Sequence, residues 1–387
     1  LGLTVANIGL PSMMTALGVS FGAVQWVVLA YLITMTALAV LAGALGDRFG
    51  KRRMLMAGLA LFALSSALCA ATPNLPLLLV GRALQGAGAA LLSALSLALV
   101  VDVAGAASAG TALGFLSATG AIGTMIGPTV GALVIAAGGW RAIFAINVPL
   151  ALIVYIALRV TSPALARSSE RKAKTGPLPI TPALLASLAM NVLVSGVMIS
   201  TVLLAPFVLS RTFGLALRDV GLVMAAGPLT TTLTAIPAGR FADRLNGRLV
   251  SIGGLVVFTL GAGGLALLRT DIGIVGYLIP VVMIGFGFGA FQTSNNTVIM
   301  RESPLERRGT ISGWLALSRN FGLISGAAII GTLFGAVTRG DAQSGDVVAA
   351  AMRSSFTGAS VMGALAIVLA IYVFYSGRRS SGGFERR

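Results

Sequence analysis

Histidine is absent from these 387 residues, cysteine occurs once, at Cys69, and only eleven side chains are acidic. Each shortage removes a class of function. With no histidine and a lone cysteine there is no disulfide, no zinc site of the usual nitrogen and sulfur ligands, no Cys–His pair and no Ser–His–Asp triad. No nucleophile, metal set or paired-acid constellation remains to read as enzyme chemistry, so neither an enzymatic activity nor a metal or cofactor is expected. Charged residues are 10% of the chain, far below the roughly one quarter usual in soluble domains.

What the chain has instead is apolar surface: 57% of its residues are hydrophobic and the mean hydropathy is +0.96. That much cannot be hidden from water in one core. Apolar runs near 1–18, 25–46, 53–71, 76–101, 111–138, 142–159, 182–209, 218–238, 249–268, 272–300, 309–336 and 355–376 are separated by charged or turn-rich breaks. Most can cross a hydrocarbon layer of about 30 Å. The expected fold is therefore all-α and integral to a membrane, with twelve transmembrane helices. Fifty glycines fit that reading, since small residues let membrane helices approach closely. The chain opens on Leu1, already inside an apolar stretch, and we expect its natural amino terminus to lie further upstream.

The formal net charge of +16 does not point to nucleic acid, because the basic residues fall in short interhelical loops and form no single face. With both termini cytoplasmic, the inside loops and tail hold nineteen basic residues and the outside loops six, as the positive-inside rule asks. The longest polar interruption, residues 161–181, lies midway. The expected organisation is a six-helix bundle over 1–160, a cytoplasmic linker over 161–181, a second bundle over 182–377 and a cytoplasmic tail over 378–387. The halves repeat: Gly43-Ala44-Leu45-Gly46-Asp47-Arg48-Phe49-Gly50-Lys51-Arg52 follows span 2, and Gly239-Arg240-Phe241-Ala242-Asp243-Arg244-Leu245-Asn246-Gly247-Arg248 follows span 8, 196 residues on. Two similar bundles suit a transporter in which one half rocks against the other.

The first block matches the signature G-x-L-[AG]-D-R-x-G-R/K-R at every fixed position, and in this the chain resembles the major facilitator superfamily. A carboxylate in such a turn can sit at the positive N-terminal end of another helix; the same turn would also serve as a plain basic surface loop. The resemblance implies that Gly43, Asp47, Arg48, Gly50, Lys51 and Arg52 form a cytoplasmic latch, with Asp47 at the start of span 11 near Gly309 and Lys51 paired with Asp102. Arg82-Ala83-Leu84-Gln85-Gly86-Ala87-Gly88-Ala89-Ala90 in span 4 is similar to the family element R-x-x-Q-G-x-G-A-A, which implies a coupling role for Arg82 and Gln85. An arginine snorkelling from its helix start is the alternative.

Span 5 carries Gly114, Gly123, Gly127-Pro128 and Gly131 in the register of the antiporter signature of drug exporters, with Ala132 where the signature ends in glycine. Such glycines make a smooth groove, and Pro128 frees a carbonyl and bends the helix, so span 5 reads as a hinge. Gln25-Trp26 through Tyr31 and Trp140-Arg141 through Pro149 resemble the larger, usually fourteen-span, drug/proton antiporter branch. Family members often carry an aspartate in span 1 where this chain has Gly2, and none of the eleven acids maps to mid-membrane.

Neutral polar residues are then left as substrate-path candidates: Asn7, Asn191, Gln292, Asn295, Asn296 and Asn320, with Arg319 as a second intramembrane cation; each asparagine could equally serve an interhelical hydrogen bond. With two cations and no buried acid, neutral or anionic solutes are favoured over dications. The resulting expectation is a monomeric secondary transporter of a bacterial inner membrane that exports small, fairly apolar compounds by alternating access, powered by protons. The alternatives are metabolite uptake or facilitated movement on the same fold, and a membrane binding or sensor protein that has lost transport. Its partners would be a small-molecule substrate, protons and the lipid bilayer, with no nucleic acid.

Overall fold

The computed structural model describes residues 9, 12, 13, 16–19, 21–160, 181–215, 217–337 and 345–381. Asn7, Gly2, nearly all of the 161–181 linker and the tail beyond Ser381 lie outside the described residues. Among those described there are helices and no strands. This is what a hydrocarbon solvent demands, because a helix satisfies its backbone hydrogen bonds within one segment.

The elements run α1 (Phe21–Ala37), α2 (Ala39–Phe49), α3 (Lys51–Ala71), α4 (Leu75–Ala145), α5 (Asn147–Val160), α6 (Pro182–Phe207) with a π turn at Val208–Thr212, then α7 (Leu217–Met224), α8 (Ala226–Arg244), α9 (Gly247–Ala266), α10 (Val275–Glu302), a short 3-10 turn at Leu305–Arg307, α11 (Arg308–Val337) and α12 (Gly345–Ser381). Local chemistry sets several starts. The Asn74 side chain accepts from Leu77 N–H at 3.1 Å ahead of α4, Thr181 Oγ1 accepts from Leu184 N–H at 3.2 Å ahead of α6, and Asn246 accepts from Arg248 N–H at 3.0 Å ahead of α9, each quieting an otherwise orphan donor.

Helix α4 runs through two of the expected spans. Its legs are separated only by Gly105 (φ 72°, ψ 170°), and a second glycine, Gly139 (φ 70°, ψ −176°), breaks it again before residues 140–145. Both angles are costly for a residue with a Cβ. The expected bend at Pro128 is not among these breaks: helical backbone continues through it. The expected span 25–46 is a bent pair, α1 with α2 at 48°, and residues 133–145, which straddle the expected spans 111–138 and 142–159, meet α5 at 47°. Seven helices among the described residues are long and apolar enough to cross a membrane, or nine with each bent pair as one span.

Packing groups the chain into two compact units. The first comprises Leu1–Gly105, Gly123–Pro177 and Ser303–Leu317; the second comprises Ala106–Ile122, Leu178–Glu302 and Ser318–Arg387. Each unit thus takes one helix leg from the other sequence half. The core of the first includes Val27, Leu78, Trp140 and Phe144, and that of the second Met190, Phe258, Phe291 and Phe356. Large apolar side chains such as Leu64, Leu133, Leu260 and Val361 face outward, as lipid-facing residues do.

Glycine governs how closely the helices approach. A Cβ on Gly287 of α10 would run into the Phe258 amide and the Gly254 carbonyl of α9, whereas one on Gly253 would meet nothing within 4 Å. Gly287→Val is therefore expected to cost about 1–3 kcal/mol, while Gly253→Ala should be neutral or stabilise by up to about 1 kcal/mol. Thermal denaturation of the two variants in detergent checks this; equal midpoints would refute it.

Candidate functional site

The first unit is pinned at one end by charge. Helix α2 stops at Gly50, whose φ of 96° turns the chain sharply into α3 while its N–H returns to Gly46 O. This turn aims Asp47 at the first turn of α11, where its carboxylate accepts from the N–H groups of Gly309 (2.8 Å) and Thr310 (2.6 Å) and from the Thr310 hydroxyl (2.7 Å). Those N–H groups carry the positive end of the helix dipole, and a carboxylate there stabilises by about 0.5–2 kcal/mol. The approach is possible because both backbones are bare. A Cβ on Gly43 would strike the Gly309 carbonyl, and one on Gly313 the Ala39 carbonyl.

Beside the cap sits a three-charge cluster. Lys51 Nζ lies 2.5 Å from Asp102 Oδ2 and Arg308 Nη1 lies 2.9 Å from Asp102 Oδ1, with all three side chains 7–8% exposed. Lys51 also donates to Leu305 O at 3.3 Å, and Arg52 donates to Leu158 O at 2.9 Å. The motif residues expected to meet, Asp47 with Gly309 and Lys51 with Asp102, are together. Arg48 is exposed, stacks over Phe49 at 5.3 Å and takes no part in the cluster.

A counterpart, whose partner residues the sequence reading missed, lies in the second unit. Asp243, at the end of α8, accepts from the N–H groups of Gly110 (2.8 Å) and Thr111 (2.7 Å) and from the Thr111 hydroxyl (2.7 Å). Arg301 forms an ion pair with Asp243 and donates to Ala242 O at 3.2 Å, and Arg248 pairs with Glu302 at 2.6 Å. A Cβ on Gly239 would strike Gly110 O, and one on Gly114 would lie 2.5 Å from Ala235 O. The signal was present: Gly110-Thr111-Ala112-Leu113-Gly114-Phe115-Leu116 repeats as Gly309-Thr310-Ile311-Ser312-Gly313-Trp314-Leu315 at an offset of 199. Of the span 5 glycines, Gly114 makes this close approach, Gly127 and Gly131 are buried and Gly123 is half-buried.

Away from these ends, Arg82 is fully buried. Its Nε donates to Val27 O at 2.8 Å, Nη1 donates to Gln85 Oε1, and Gln85 Nε2 donates to Ser66 Oγ at 2.7 Å. The guanidinium stacks 4.4 Å from the Tyr31 ring centroid and 5.7 Å from that of Phe144. It has no carboxylate partner among the described residues, and Nη2 has no acceptor there. In the second unit Gln292, Thr293, Ser294, Asn295, Asn296 and Thr297 of α10 are all buried. Gln292 and Asn296 each keep an amide oxygen, and Asn295 an amide nitrogen, without a partner among the described residues; their i, i+3, i+4 spacing puts the three on one helix face. Asn191 donates to Ser318 Oγ at 2.9 Å, Asn320 is buried beside it on α11, and Arg319 is half-buried. In the loop between α9 and α10, Arg269 donates to Asp271 at 2.7 Å and holds that carboxyl below the usual range. Both groups are exposed, so the pair contributes little.

An all-helical chain of long apolar spans, with charged clamps at the helix ends and polar groups sealed inside, defines a polytopic membrane transport protein. The chain belongs to the Major Facilitator Superfamily, whose family model matches residues 1–327. It is 28% identical to the riboflavin transporter RibZ of Clostridioides difficile over 86% of this chain and 84% of that one. It is 26% identical to the multidrug resistance protein Stp of Mycobacterium tuberculosis over 86% and 72%. Its fold matches that of the major facilitator proton:xylose symporter XylE with a TM-score of 0.77 at 16% identity, covering 97% of this chain and 92% of that one.

Because Asp102 serves two cations, its loss should weigh more than the loss of either. Asp102→Asn is expected to cost about 3 kcal/mol or more, since it takes the shared carboxylate from two buried positive groups. Lys51→Met should cost less than half of that, because Arg308 still neutralises Asp102. Melting temperatures in detergent decide the order; a larger loss for Lys51→Met would refute the shared-charge reading.

Proposed function

We propose that this protein is a secondary active transporter that exports small compounds by alternating access between two six-helix halves, 1–160 and 182–377, joined by the 161–181 linker. The observation that carries this reading is the duplicated clamp. In each copy a carboxylate following a glycine-rich helix caps a helix start that belongs to the other sequence half, so both can be made and broken as access alternates. Asp47, Lys51 and Asp102 then act as a latch on the cytoplasmic side, with Asp243, Arg301 and the Gly110–Thr111 turn as its counterpart. The nineteen-to-six bias of basic residues supports cytoplasmic termini in a bacterial inner membrane. Similarity to a multidrug resistance protein and the glycine register of span 5 support the outward direction.

In this reading Gln292, Asn295, Asn296, Asn191, Asn320 and Arg319 offer the substrate hydrogen bonds on its path, and Arg82 with Gln85 serves the coupling of transport to protons. A second reading, uptake or facilitated movement of a metabolite, is favoured by the lack of any acid near the middle of a span and by the similarity to a riboflavin transporter.

Proton movement in everted vesicles, followed with a pH-sensitive dye while neutral, anionic and cationic compounds are added in turn, separates the two. Proton-coupled export is expected to dissipate an imposed gradient with some compounds in the wild type. Asp47→Ala, which loses a cap of about 0.5–2 kcal/mol, should slow the response several-fold without abolishing substrate binding. Equilibration of labelled solute with no proton signal would overturn the antiporter reading in favour of facilitated movement.

A further inference from the structure

The internal repeat supplies a control for Arg82. In the first unit a Cβ on Gly86 would meet the Tyr31 carbonyl and one on Gly88 would meet the Phe62 amide and the Gly58 carbonyl; in the second, Gly285 faces the Gly227 carbonyl and Gly287 faces the Phe258 amide and the Gly254 carbonyl. These contacts superpose the first leg of α4 on α10 at an offset of 199, and α1 and α3 on the α7–α8 stretch and α9 at 196. Under that correspondence Arg82, Gln85, Ser66 and Tyr31 fall on Val281, Ile284, Ala262 and Gly227. Val281, Ile284 and Ala262 are buried members of an apolar core. The same helix packing is thus built without charge in the second half, and the fold does not require a guanidinium at this place.

The arginine is nevertheless kept, at a cost. A cation removed from water needs a counter-charge or a full set of acceptors, and Arg82 has one carbonyl, one amide oxygen and two ring faces. Nη2 has no acceptor among the described residues and Nη1 has one, so the guanidinium keeps N–H groups with which it can meet the two oxygens of a carboxylate. One of the covering rings, Phe144, sits on the short 140–145 leg, between the Gly139 break and the 47° bend into α5. A solute that reaches the guanidinium has to displace this ring, which is packed in the apolar core of the first unit.

We propose that Arg82 is a recognition residue for the anionic group of the solute, a carboxylate held by the Nη1–Nη2 fork with Gln85 and Ser66 setting the guanidinium plane. The substrate class is then a small organic monoanion with an apolar body that replaces the contact of the aromatic ring. This rests on the transporter reading above and gives Arg82 a second role there, recognition of the solute beside the coupling of transport.

The test is binding to the purified protein in detergent, read as a shift in melting temperature and by isothermal titration at constant chloride. The probes are acetate, benzoate and 2-naphthoate, each beside its primary amide, with 2-naphthylmethylammonium as the cation. Binding should strengthen from acetate to 2-naphthoate, each carboxylate should bind about tenfold or more tightly than its amide, and the cation should not compete. Arg82→Lys, which keeps the charge and loses the fork, should reduce that preference severalfold and leave the affinity of the amides unchanged. The double variant Arg82→Met/Gln85→Leu, apolar at both places as Val281 and Ile284 are in the second half, should melt no lower than the wild type without ligand and show no preference for carboxylates.

Equal binding of acid and amide, retention of the preference in the double variant, no binding by any carboxylate, or a marked loss of melting temperature in the double variant would each overturn the assignment. The vesicle assay keeps the two readings apart. Carboxylates that bind without crossing the membrane refute transport and leave the Arg82 assignment standing, while transport of neutral compounds without carboxylate binding does the reverse.

Discussion

The close approach of bare backbones at helix ends is the constraint on which the clamps depend. Gly43 meets Gly309, and Gly239 meets Gly110, so closely that neither contact leaves room for a Cβ. Only at that separation can a side chain as short as aspartate reach the N–H groups of a neighbouring helix start. The glycines thus come first in the physical order and the carboxylates second. The basic residues follow, because Asp102 draws Lys51 and Arg308 into buried positions that isolated cations would not occupy, while Asp243 holds a half-buried Arg301.

The two halves share these ends and differ in their middles. Asp47 and Asp243 accept from the same triplet of donors, two amides and a threonine hydroxyl. One turn or more further in, the correspondence of chemistry stops. Arg82 and Gln85 stand opposite Val281 and Ile284, while Gln292, Asn295 and Asn296 stand opposite Ser93, Ser96 and Leu97. Duplicated contacts are those that any copy of the bundle needs to fold and to move. Groups that appear in one copy alone are buried at a cost of about 1–3 kcal/mol for each unpartnered polar atom, and the proposed reading gives to them the choice of solute.

Much of this was legible in the sequence, and what was not has identifiable causes. The Asp47 turn was readable because its ten residues are contiguous and its glycines announce a tight turn. The partners of Asp243 were not, because Gly110 and Thr111 lie more than a hundred residues upstream and their heptapeptide repeat is offset by 199 where the turn repeats at 196. The bends at Leu38 and Ile146 sit in apolar stretches where no proline or glycine stands at the bend itself, so hydropathy runs through them unbroken. In span 5 and beside it, the backbone leaves helical angles at Gly105 and Gly139, where positive φ costs glycine least, and keeps them at Pro128. A proline inside a lipid-embedded helix removes one hydrogen bond, and neighbouring helices can make that good.

Charge is where composition and structure bear most directly on each other. Eleven acids against twenty-seven bases leave few carboxylates to spare, and Asp47, Asp102, Asp243 and Glu302 are all engaged at helix ends. Among the described residues two cations within spans have no carboxylate beside them, Arg82, buried in the first unit, and Arg319, half-buried in the second. At Arg82 two aromatic faces ease this, by about 0.5–2 kcal/mol each, but a ring face is no acceptor for the in-plane N–H groups. Under the proposed assignment of Arg82, a solute that brings two coplanar oxygens supplies the acceptors and the missing charge together, whereas a cationic solute adds repulsion. Scarcity of acids, first seen as a shortage in the composition, is thus the premise on which that proposal turns.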